Sequence, residues 1–365
     1  MRVLHIGLCK HKGGIENFAI NYFRALQPQG VIFDFVDIYG EGLAYEEEIK
    51  SLGGEIITLP NFKKNLRRCK KVLIKYMKEN MYDAVHIHVQ TTAYIFPIIA
   101  VLKAGVKPIV HIHFSAVNGI VRKALHAVNV RRLRRLNVYR FSSGEVSGKW
   151  FWGTCDFSIL PNAIHTEQFV FDMENRNKVR QQLDVSEDTL LLGFVGRLEP
   201  VKNPLFALDV VQACKKRNLK VKLLLIGEGS LKQEVVEQIK RLDIEKEVCM
   251  LGYTSQVAYF LSAMDVYMMP SLSEAFSIAA IEAQTNGLPC LFTKGLPGEM
   301  QISSACRFIP LNGHEKWVDA IEEMSLNEQS RNGADSSIWQ SKFNMEIAKQ
   351  FLLDVYTKNK AEQSK

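Results

Sequence analysis

Short apolar segments alternate with amphipathic helical patterns along most of the chain. A first series of segments predicts strands, which lie at residues 2–8, 33–38, 55–59, 84–89 and 108–113. A second series predicts strands at residues 190–195, 221–226, 248–251, 266–269 and 289–292. Helical patterns come between them, as at residues 16–26, 204–217 and 231–242. This alternation is typical of parallel α/β architecture. Two such series predict two doubly wound, Rossmann-like domains that face each other across a crevice.

Breaks in the pattern indicate where the domains join. Ser142-Ser143-Gly144 and Pro161-Asn162 interrupt the alternation. We therefore predict a first domain at residues 1–155 and a second at 156–340. The last segment, 341–365, has one helical pattern and is predicted to pack back onto the first domain.

Composition excludes several classes of protein. The chain has 365 residues, of which 47% are apolar and 23% charged, as in an ordinary globular protein. Its seven cysteines include no Cys-x-x-Cys pair, which argues against zinc ribbons and disulfide scaffolds. The first residues lack a signal-peptide pattern, and apolar runs such as 93–102 are too short to span a bilayer. We expect a cytoplasmic protein with reduced thiols.

Two glutamates stand eight positions apart in the stretch PSLSEAFSIAAIEA, residues 270–283. If a helix begins near Phe276 or Ser277 and ends near Thr285, Glu274 lies in the loop before it and Glu282 lies inside it. The free backbone N–H groups at the helix N-terminus suit an anion. A carboxylate on each side of a phosphate seat fits a nucleotide sugar. From spacing alone, a capping Glu274 and a solvated Glu282 are the alternative.

Cations and glycines follow other predicted strands. Gly196-Arg197 ends the strand at 190–195, and Lys202 precedes a helix that starts with proline. Two cations at the carboxyl end of a parallel strand could hold a diphosphate. Gly13-Gly14 lies in the first strand-to-helix turn, where a phosphate could approach the backbone. Ordinary surface charge and an ordinary tight turn are the alternatives for these features.

Taken together, these motifs resemble those of family-4 retaining glycosyltransferases of the GT-B fold, in particular bacterial capsule and exopolysaccharide enzymes. The similarity covers the chain nearly end to end. It rests on Gly-Gly at 13–14, Gly-Arg and Lys at 196–202, and the Glu-x7-Glu pair at 274–282. Three further segments match family motifs, namely PNAIHTEQF at 161–169, GEGSL at 227–231 and LGY at 251–253.

The resemblance implies roles for individual residues. Arg197 and Lys202 would neutralise the donor diphosphate and stabilise the departing nucleotide, and Glu282 would accept hydrogen bonds from the ribose. Glu274 would face the donor sugar, and Gly14 would let the first domain close over the phosphates. The remaining donor-binding residues are implied to be Gly196, Asn162, Tyr253, Phe276, Ser277 and Ile278. Metal independence is implied too, in keeping with a chain that contains no Asp-x-Asp pair.

Histidines occur in two His-x-His pairs, at 86–88 and 111–113. Two such side chains share one face of a strand and could bind zinc together with a carboxylate, but no acid is close in sequence. The resemblance places a catalytic histidine beside the reacting sugar, and His113 matches it. We interpret His86 and His111 as core or supporting residues.

Positive charge is concentrated in the first half of the chain. Residues 1–150 hold 23 Lys and Arg against 11 Asp and Glu, and no acidic residue lies between Asp83 and Glu145. The segments 63–78 and 122–136 are predicted to be basic amphipathic helices. Their apolar stripes are Leu66, Cys69, Leu73 and Tyr76 in the first and Leu125, Val128, Leu133 and Leu136 in the second. A helix packed on its sheet with a solvated cationic outer face is the alternative for each. Basic amphipathic helices suit an anionic membrane surface better than nucleic acid, for which no motif is present. The residues predicted to face the membrane are Lys63, Lys64, Arg67, Arg68, Arg131, Arg132, Arg134 and Arg135.

We therefore predict a hexosyl- or N-acetylhexosaminyl-transferase at the inner face of the cell membrane. It would move a sugar from a nucleotide-diphosphate donor, with UDP the most frequent in the family, to a lipid-linked glycan in bacterial surface polysaccharide synthesis. A nucleotide-sugar epimerase of the same fold and a catalytically silent partner subunit are the two alternatives. The presence of Arg197, Lys202 and Glu274 in this sequence argues against a silent subunit.

Overall fold

The structure is a computed structural model that describes residues 1–89, 94–113, 120–274, 276–326 and 336–363. These residues form two compact units. Unit 1 contains the chain up to Ala163 together with the C-terminal segment that begins at Met345, and unit 2 spans Ile164–Asn344.

Each unit contains one parallel sheet in the described part of the chain. In unit 1 the strand order is β3-β2-β1-β4-β5-β6-β7, with strands β1 (Arg2–Ile6), β2 (Ile32–Asp37), β3 (Ile56–Thr58), β4 (Ala84–Val89), β5 (Ile109–Ile112), β6 (Tyr139–Ser142) and β7 (Ser158–Ile159). In unit 2 the order is β10-β9-β8-β11-β12-β13, with strands β8 (Leu190–Val195), β9 (Val221–Ile226), β10 (Val248–Gly252), β11 (Val266–Met269), β12 (Cys290–Thr293) and β13 (Cys306–Ile309). In each sheet the strand order reverses beside the strand that comes first in sequence, β1 or β8, as in Rossmann folds.

Helices connect the strands, as expected for parallel neighbours. Those of unit 1 are α1 (Gly14–Leu26), α2 (Glu46–Ser51), α3 (Leu66–Glu79), α4 (Phe96–Lys103), α5 (Ile120–Leu133) and α6 (Glu145–Trp152). Those of unit 2 are α7 (Met173–Gln182), α8 (Pro204–Lys216), α9 (Lys232–Arg241), α10 (Val257–Leu261), α11 (Ile278–Thr285), α12 (Glu315–Leu326) and α13 (Ser336–Trp339). The chain then returns to unit 1 through α14 (Met345–Gln363).

The return of α14 to unit 1 confirms that the C-terminal helix packs on the first domain. Its Met345, Leu352 and Tyr356 are fully buried in the same core as Phe18 and Phe23 of α1. The boundary lies later than the predicted 155/156, because β7 pairs with β6 and so adds the following residues to the first sheet.

The two basic helices bury a different set of residues from the predicted stripes. In α3 the inward side chains are Cys69, Leu73 and Met77, spaced four residues apart, whereas Leu66 is 45% exposed. In α5 the structure buries Leu133 but leaves Leu125 and Val128 exposed. The predicted stripe of α5 is therefore wrong in part, because a helix advances about 100° per residue and turns those two positions to the outside.

No helix within the described ranges is long and apolar enough to cross a membrane.

Candidate functional site

In the sheet of unit 2 the order of the strands reverses between β8 and β11. These two strands are neighbours, but the strands that follow β8 in sequence lie toward one edge of the sheet and those that follow β11 lie toward the other edge. In open α/β sheets, ligands bind outside the carboxyl ends of the strands at such a point. The loops that follow β8 and β11 carry Arg197, Lys202 and Glu274, so the fold brings these predicted site residues to one end of the sheet.

The loop after β8 holds its backbone in place and exposes one cation. Leu198 N–H donates to the Glu228 carbonyl at 2.9 Å, and Leu231 N–H donates to the Leu198 carbonyl at 2.9 Å. Arg197 directly precedes Leu198, and its side chain is exposed. Its guanidinium makes no hydrogen bond or ion pair with the residues that the structure describes. A cation without a bonded partner on this anchored backbone suits an anionic ligand.

Lys202 and Glu274 connect the two loops directly. The lysine Nζ lies 2.5 Å from the glutamate Oε1, and the two side chains are 20% and 7% exposed. Leu272 N–H donates to the Val201 carbonyl at 2.8 Å, and the Asn203 amide donates to the Pro270 carbonyl at 3.2 Å. The ion pair is therefore part of a tightly connected pair of loops.

Helix α11 begins at Ile278, one to two residues after the predicted Phe276 or Ser277, and Ser277 lies before it in extended conformation. No acidic residue occupies its first turn, so the N-terminal N–H groups remain available to an anion. Just before the helix, the ring of Phe276 stacks on the ring of Phe343, with 5.0 Å between the ring centroids. The three predicted residues Phe276, Ser277 and Ile278 thus form one helix start.

Glu282 lies in the second turn of α11 and is partly buried. Burial raises the pKa of this carboxyl group to about 7. It makes no side-chain hydrogen bond or ion pair among the described residues. A carboxylate in this state gains from a ligand that offers hydroxyl donors, because the hydrogen bonds stabilise its charged form.

Tyr267 of β11 connects the two glutamates electrostatically. Its pKa is raised well above the usual value, chiefly by burial, and the charges of Glu274 and Glu282 raise it further. Its hydroxyl donates to the Val195 carbonyl at the end of β8, at 3.3 Å. Both carboxylates therefore act on a tyrosine whose hydroxyl lies at the end of β8.

Unit 1 contains three of the residues that were predicted to be catalytic or donor-binding, namely Gly14, Asn162 and His113. Gly14 begins α1, and a Cβ added to it would meet only the Asn162 amide, at 3.9 Å. The Oδ1 of Asn162 is buried and has no hydrogen-bond partner in the described part of the chain. His113 follows β5, is partly buried, and bonds through Nε2 to His88 Nδ1 at 3.0 Å.

Glycines fall into two groups by the space around them. A Cβ on Gly7 would lie 2.1 Å from the His88 carbonyl oxygen, and a Cβ on Gly227 would lie 1.9 Å from the Gly196 carbonyl oxygen. Packing therefore requires both. Gly14 and Gly196, by contrast, have ordinary van der Waals room for a side chain. The fold does not require these two glycines, in keeping with open approaches to a ligand.

Some predicted residues lie apart from these clusters. Tyr253 follows the edge strand β10 with 81% of its surface exposed. The cations predicted to face a membrane lie on the surface of unit 1, with one exception. Arg134 is half-buried and donates from Nε to the Phe151 carbonyl at 2.8 Å, so we assign it a structural role.

Sequence reasoning missed several residues that shape the site. Asn203 has a left-handed backbone, with φ of 56°, at the start of α8, and an asparagine before a helix-starting proline is a signal for such a turn. Ser271 has a buried hydroxyl without a partner among the described residues. Tyr356 joins a histidine cluster from the other end of the chain, and no local pattern could have indicated that contact.

A model of a known protein family matches the second half of the chain. Residues 175–336, most of unit 2, match the family model for group 1 glycosyl transferases.

Curated relatives extend the similarity to unit 1. EpsF of Bacillus subtilis strain 168, whose name places it among glycosyltransferases, is 29% identical over 312 residues, covering 81% of this chain and 79% of the relative. An Escherichia coli UDP-Gal:α-D-GlcNAc-diphosphoundecaprenol α-1,3-galactosyltransferase is 24% identical over 355 residues, covering 91% of each chain.

Solved structures show the same fold. HepE of Anabaena, crystallised with UDP, superposes with a TM-score of 0.79 at 18% identity, covering 98% of this chain and 100% of its own. With a group 1 domain in unit 2, relatives that cover both units and this shared architecture, the chain is a glycosyltransferase of the GT-B fold.

Proposed function

We propose that the protein transfers a hexose or N-acetylhexosamine from a UDP-sugar to a lipid-linked glycan in bacterial surface polysaccharide synthesis, with retention of the anomeric configuration. The acceptor class is supported by the E. coli relative, whose name specifies a diphosphoundecaprenol-linked substrate. The nucleotide is supported by HepE, which was crystallised with UDP and with UDP-glucose.

The observation that carries the proposal is the exposed positive charge of Arg197 in the loop that follows β8. Arg197 is exposed without a bonded partner beside Gly196, which leaves room for a ligand. The diphosphate would bind there, and the N–H groups at the start of α11 would supply further donors. As the sugar leaves, negative charge develops on the nucleotide, so fixed positive charge at this place stabilises the transition state.

Lys202 and Glu274 would act together on the donor. Their ion pair holds the lysine in place before the donor binds. On binding, the diphosphate would share the lysine, and the carboxylate of Glu274 would turn to the sugar. Glu282 would accept hydrogen bonds from the ribose.

Unit 1 would provide the acceptor side of the reaction. A cavity of about 50 Å³ lies at the carboxyl ends of β1, β2 and β4, lined mainly by apolar and aromatic groups together with His88. We assign His113 to the reacting sugar and this face of the sheet to the acceptor.

A direct test uses purified protein, UDP, GDP and ADP in calorimetry with EDTA present. We expect UDP to bind, and we expect a radiolabelled UDP-sugar to yield a labelled polyprenyl-diphosphate glycan. Binding of another nucleotide alone would contradict the UDP assignment. Loss of transfer in EDTA, restored by a divalent cation, would contradict metal independence.

The same assay distinguishes the two alternatives. An epimerase would convert one UDP-sugar to another without an acceptor, which chromatography of the sugar nucleotides detects. A silent partner subunit would bind no nucleotide and transfer nothing.

Nucleotide affinity should depend on the ionisation of Glu282. Because hydroxyl donors favour the carboxylate and the carboxyl pKa is about 7 in the free protein, UDP should bind about tenfold more weakly at pH 6 than at pH 8 through this group. UDP itself also titrates, so Glu282→Gln is the reference. Calorimetry across this range should show a steeper pH slope in the unmodified protein, and equal slopes would refute the ribose assignment.

The raised pKa of Glu282 also affects folding. The folded protein binds this proton more tightly than the unfolded chain, whose carboxyl titrates near 4.5. The contribution of Glu282 to the free energy of unfolding should therefore decrease as pH rises from about 4.5 to 7, and it should be lowest above that range.

We further propose that unit 1 binds an anionic membrane surface. Arg131, Arg132 and Arg135 are exposed at the end of α5, and the same helix exposes Leu125 and Val128 at 44% and 63%. Exposed apolar side chains among cations suit the boundary between lipid headgroups and acyl chains. The cations at Lys63, Lys64, Arg67 and Arg68 are exposed as well.

Reversing the charge of Arg131, Arg132 and Arg135 to glutamate should weaken binding to phosphatidylglycerol vesicles by at least about 100-fold, at roughly 1 kcal/mol for each cation lost. Co-sedimentation measures the effect. The matched control reverses three exposed lysines of unit 2, Lys216, Lys240 and Lys246, and should bind as the unmodified protein does. An equal loss in both variants would indicate a net-charge effect and refute the surface.

A further inference from the structure

Five histidines and one tyrosine form a continuous chain of hydrogen bonds inside unit 1, which we call the imidazole chain. It begins at His113, whose Nε2 lies 3.0 Å from His88 Nδ1, and His88 Nε2 lies 3.0 Å from His5 Nδ1. The Tyr356 hydroxyl lies 3.4 Å from His5 Nε2 and 2.8 Å from His86 Nδ1. His86 Nε2 then lies 3.2 Å from His111 Nδ1.

Strand register explains why these side chains meet. His5 of β1 pairs with His86 of β4, and His88 of β4 pairs with His111 of β5. All of them face the side of the sheet on which α1 and α14 pack. Phe18 of α1 contacts four of the rings edge-on, at centroid distances of 4.9 to 6.0 Å, and these belong to His86, His88, His111 and His113.

The imidazole chain is buried and uncharged. His5, His86, His111 and Tyr356 have no exposed surface. Burial lowers the pKa of His5 and of His113 to about 3. It lowers the pKa values of His86, His88 and His111 well below the usual value and raises that of Tyr356 well above it. A neutral imidazole has one N–H and one bare nitrogen. Each member therefore donates one hydrogen bond and accepts another, so the whole chain runs in one of two directions.

The direction determines which nitrogen of His113 carries the proton. If the donors point from His113 toward His111, every histidine has its proton on Nε2 and the outer Nδ1 of His113 is an acceptor. If the donors point the other way, that Nδ1 is a donor. Among the described residues this Nδ1 has no hydrogen-bond partner, and His113 is the partly exposed end of the chain.

The contacts of Tyr356 favour the first direction. Its hydroxyl lies 2.8 Å from His86 Nδ1 but 3.4 Å from His5 Nε2. Hydroxyl donors make shorter hydrogen bonds than N–H donors, so Tyr356 donates to His86 and accepts from His5.

We propose that the imidazole chain is a positioning device that holds His113 as the Nε2–H tautomer and presents its bare Nδ1 to a hydroxyl group of the substrate. The positioning residues for the transfer reaction are then His88, His5, Tyr356, His86 and His111. The substrate part of this inference rests on the proposed function, whereas the tautomer does not. It follows that a hydroxyl of the bound sugar or acceptor donates to His113.

The first experiment determines the tautomer without substrate. Long-range ¹H–¹⁵N correlation spectra of histidine-labelled protein distinguish a protonated from a bare ring nitrogen, and the signals of His113 are assigned by their loss in His113→Gln. We expect a protonated Nε2 and a bare Nδ1. A protonated Nδ1 in the unmodified protein would overturn the proposal.

The second experiment breaks the chain at its central link. Tyr356→Phe removes the hydroxyl to which His5 Nε2–H donates, so the outer segment should reverse and His113 should carry its proton on Nδ1. Transfer should fall by up to about 100-fold, with the affinity for UDP unchanged. Tyr22→Phe is the matched control, because Tyr22 is equally buried and its hydroxyl donates to the Pro161 carbonyl at 2.9 Å, outside the chain.

Tyr356→Phe loses two buried hydrogen bonds and Tyr22→Phe loses one, so a lower melting temperature is expected for both variants. Only Tyr356→Phe should change the His113 spectrum. An unchanged His113 tautomer in Tyr356→Phe, or the same tautomer change in Tyr22→Phe, would contradict the proposed role of the imidazole chain.

Metal analysis of the purified protein distinguishes a hydrogen-bonded imidazole chain from a metal site formed by the same histidines. Two overlapping groups of three histidines bring one nitrogen each to within 4.8 Å of one another. A stoichiometric metal in the purified protein would overturn the hydrogen-bonded chain, and its absence, together with the expected tautomer, supports it. Failure of UDP binding with the expected tautomer would refute the proposed function alone.

Discussion

Replacing Arg197 by alanine is expected to lower sugar transfer by about 10²- to 10³-fold, the loss typical of a fixed electrostatic group removed from a developing anion. The side chain is exposed and has no bonded partner in the described part of unit 2, so the free protein loses no stabilising contact. UDP affinity measured by calorimetry should fall together with the rate, because the diphosphate of the free nucleotide occupies the same place.

The variant Arg197→Lys is the matched control for charge. It keeps one positive charge but loses the planar fork that binds two phosphate oxygens at once. We expect partial recovery of UDP binding and weaker recovery of transfer. Melting temperatures of both variants should equal that of the unmodified protein. Near-normal transfer by the alanine variant would remove Arg197 from the site.

Replacing Glu274 by glutamine is expected to separate binding from chemistry. Lys202 loses the charge of a partner 2.5 Å away that is only 7% exposed, and the free protein should be destabilised by up to about 3 kcal/mol. The diphosphate restores an anionic partner to the lysine. UDP should therefore bind at least as tightly as before and raise the melting temperature more, while transfer falls by about 100-fold.

The control for this variant is Glu174→Gln, which breaks an exposed ion pair with Lys178 on α7. Exposed pairs contribute little, so stability and transfer should both be unchanged. If Glu274→Gln weakens UDP binding in the same proportion as transfer, Glu274 acts only by supporting the loop.

Parts of this molecule could be predicted because local patterns determine them. The strands at 84–89, 190–195, 221–226 and 266–269 have the predicted bounds, since buried parallel strands are continuous apolar runs between polar turns. The end of α11 at Thr285 was predicted as well, and its start lies one to two residues after the predicted Phe276 or Ser277. The fold and the glycosyltransferase assignment that the motifs implied are confirmed.

Other features depend on contacts that a linear pattern does not contain. β6, β7 and β13 are short and mixed in polarity, so they form strands because a neighbouring strand is present. The ion pair between Lys202 and Glu274 joins residues from two different loops. His86 and His111 were predicted to be core or supporting residues, but the link from His86 to Tyr356 spans most of the chain. The retaining mechanism, the membrane surface and the individual site roles stay predictions.

The path of the chain makes unit 2 an insertion within unit 1. Ile164 and Asn344 pair in a β-bridge, and Ile164 N–H donates to the Phe343 carbonyl at 2.9 Å, so the two ends of unit 2 lie side by side. During synthesis from the N-terminus, unit 2 can therefore close on itself while unit 1 still lacks α14. The apolar side chains of α1 and the buried histidines stay uncovered until Tyr356 and Leu352 of α14 are synthesised, which happens after unit 2. A nascent chain halted before α14 would hold a finished second unit and an uncovered first one, which is a natural substrate for a chaperone.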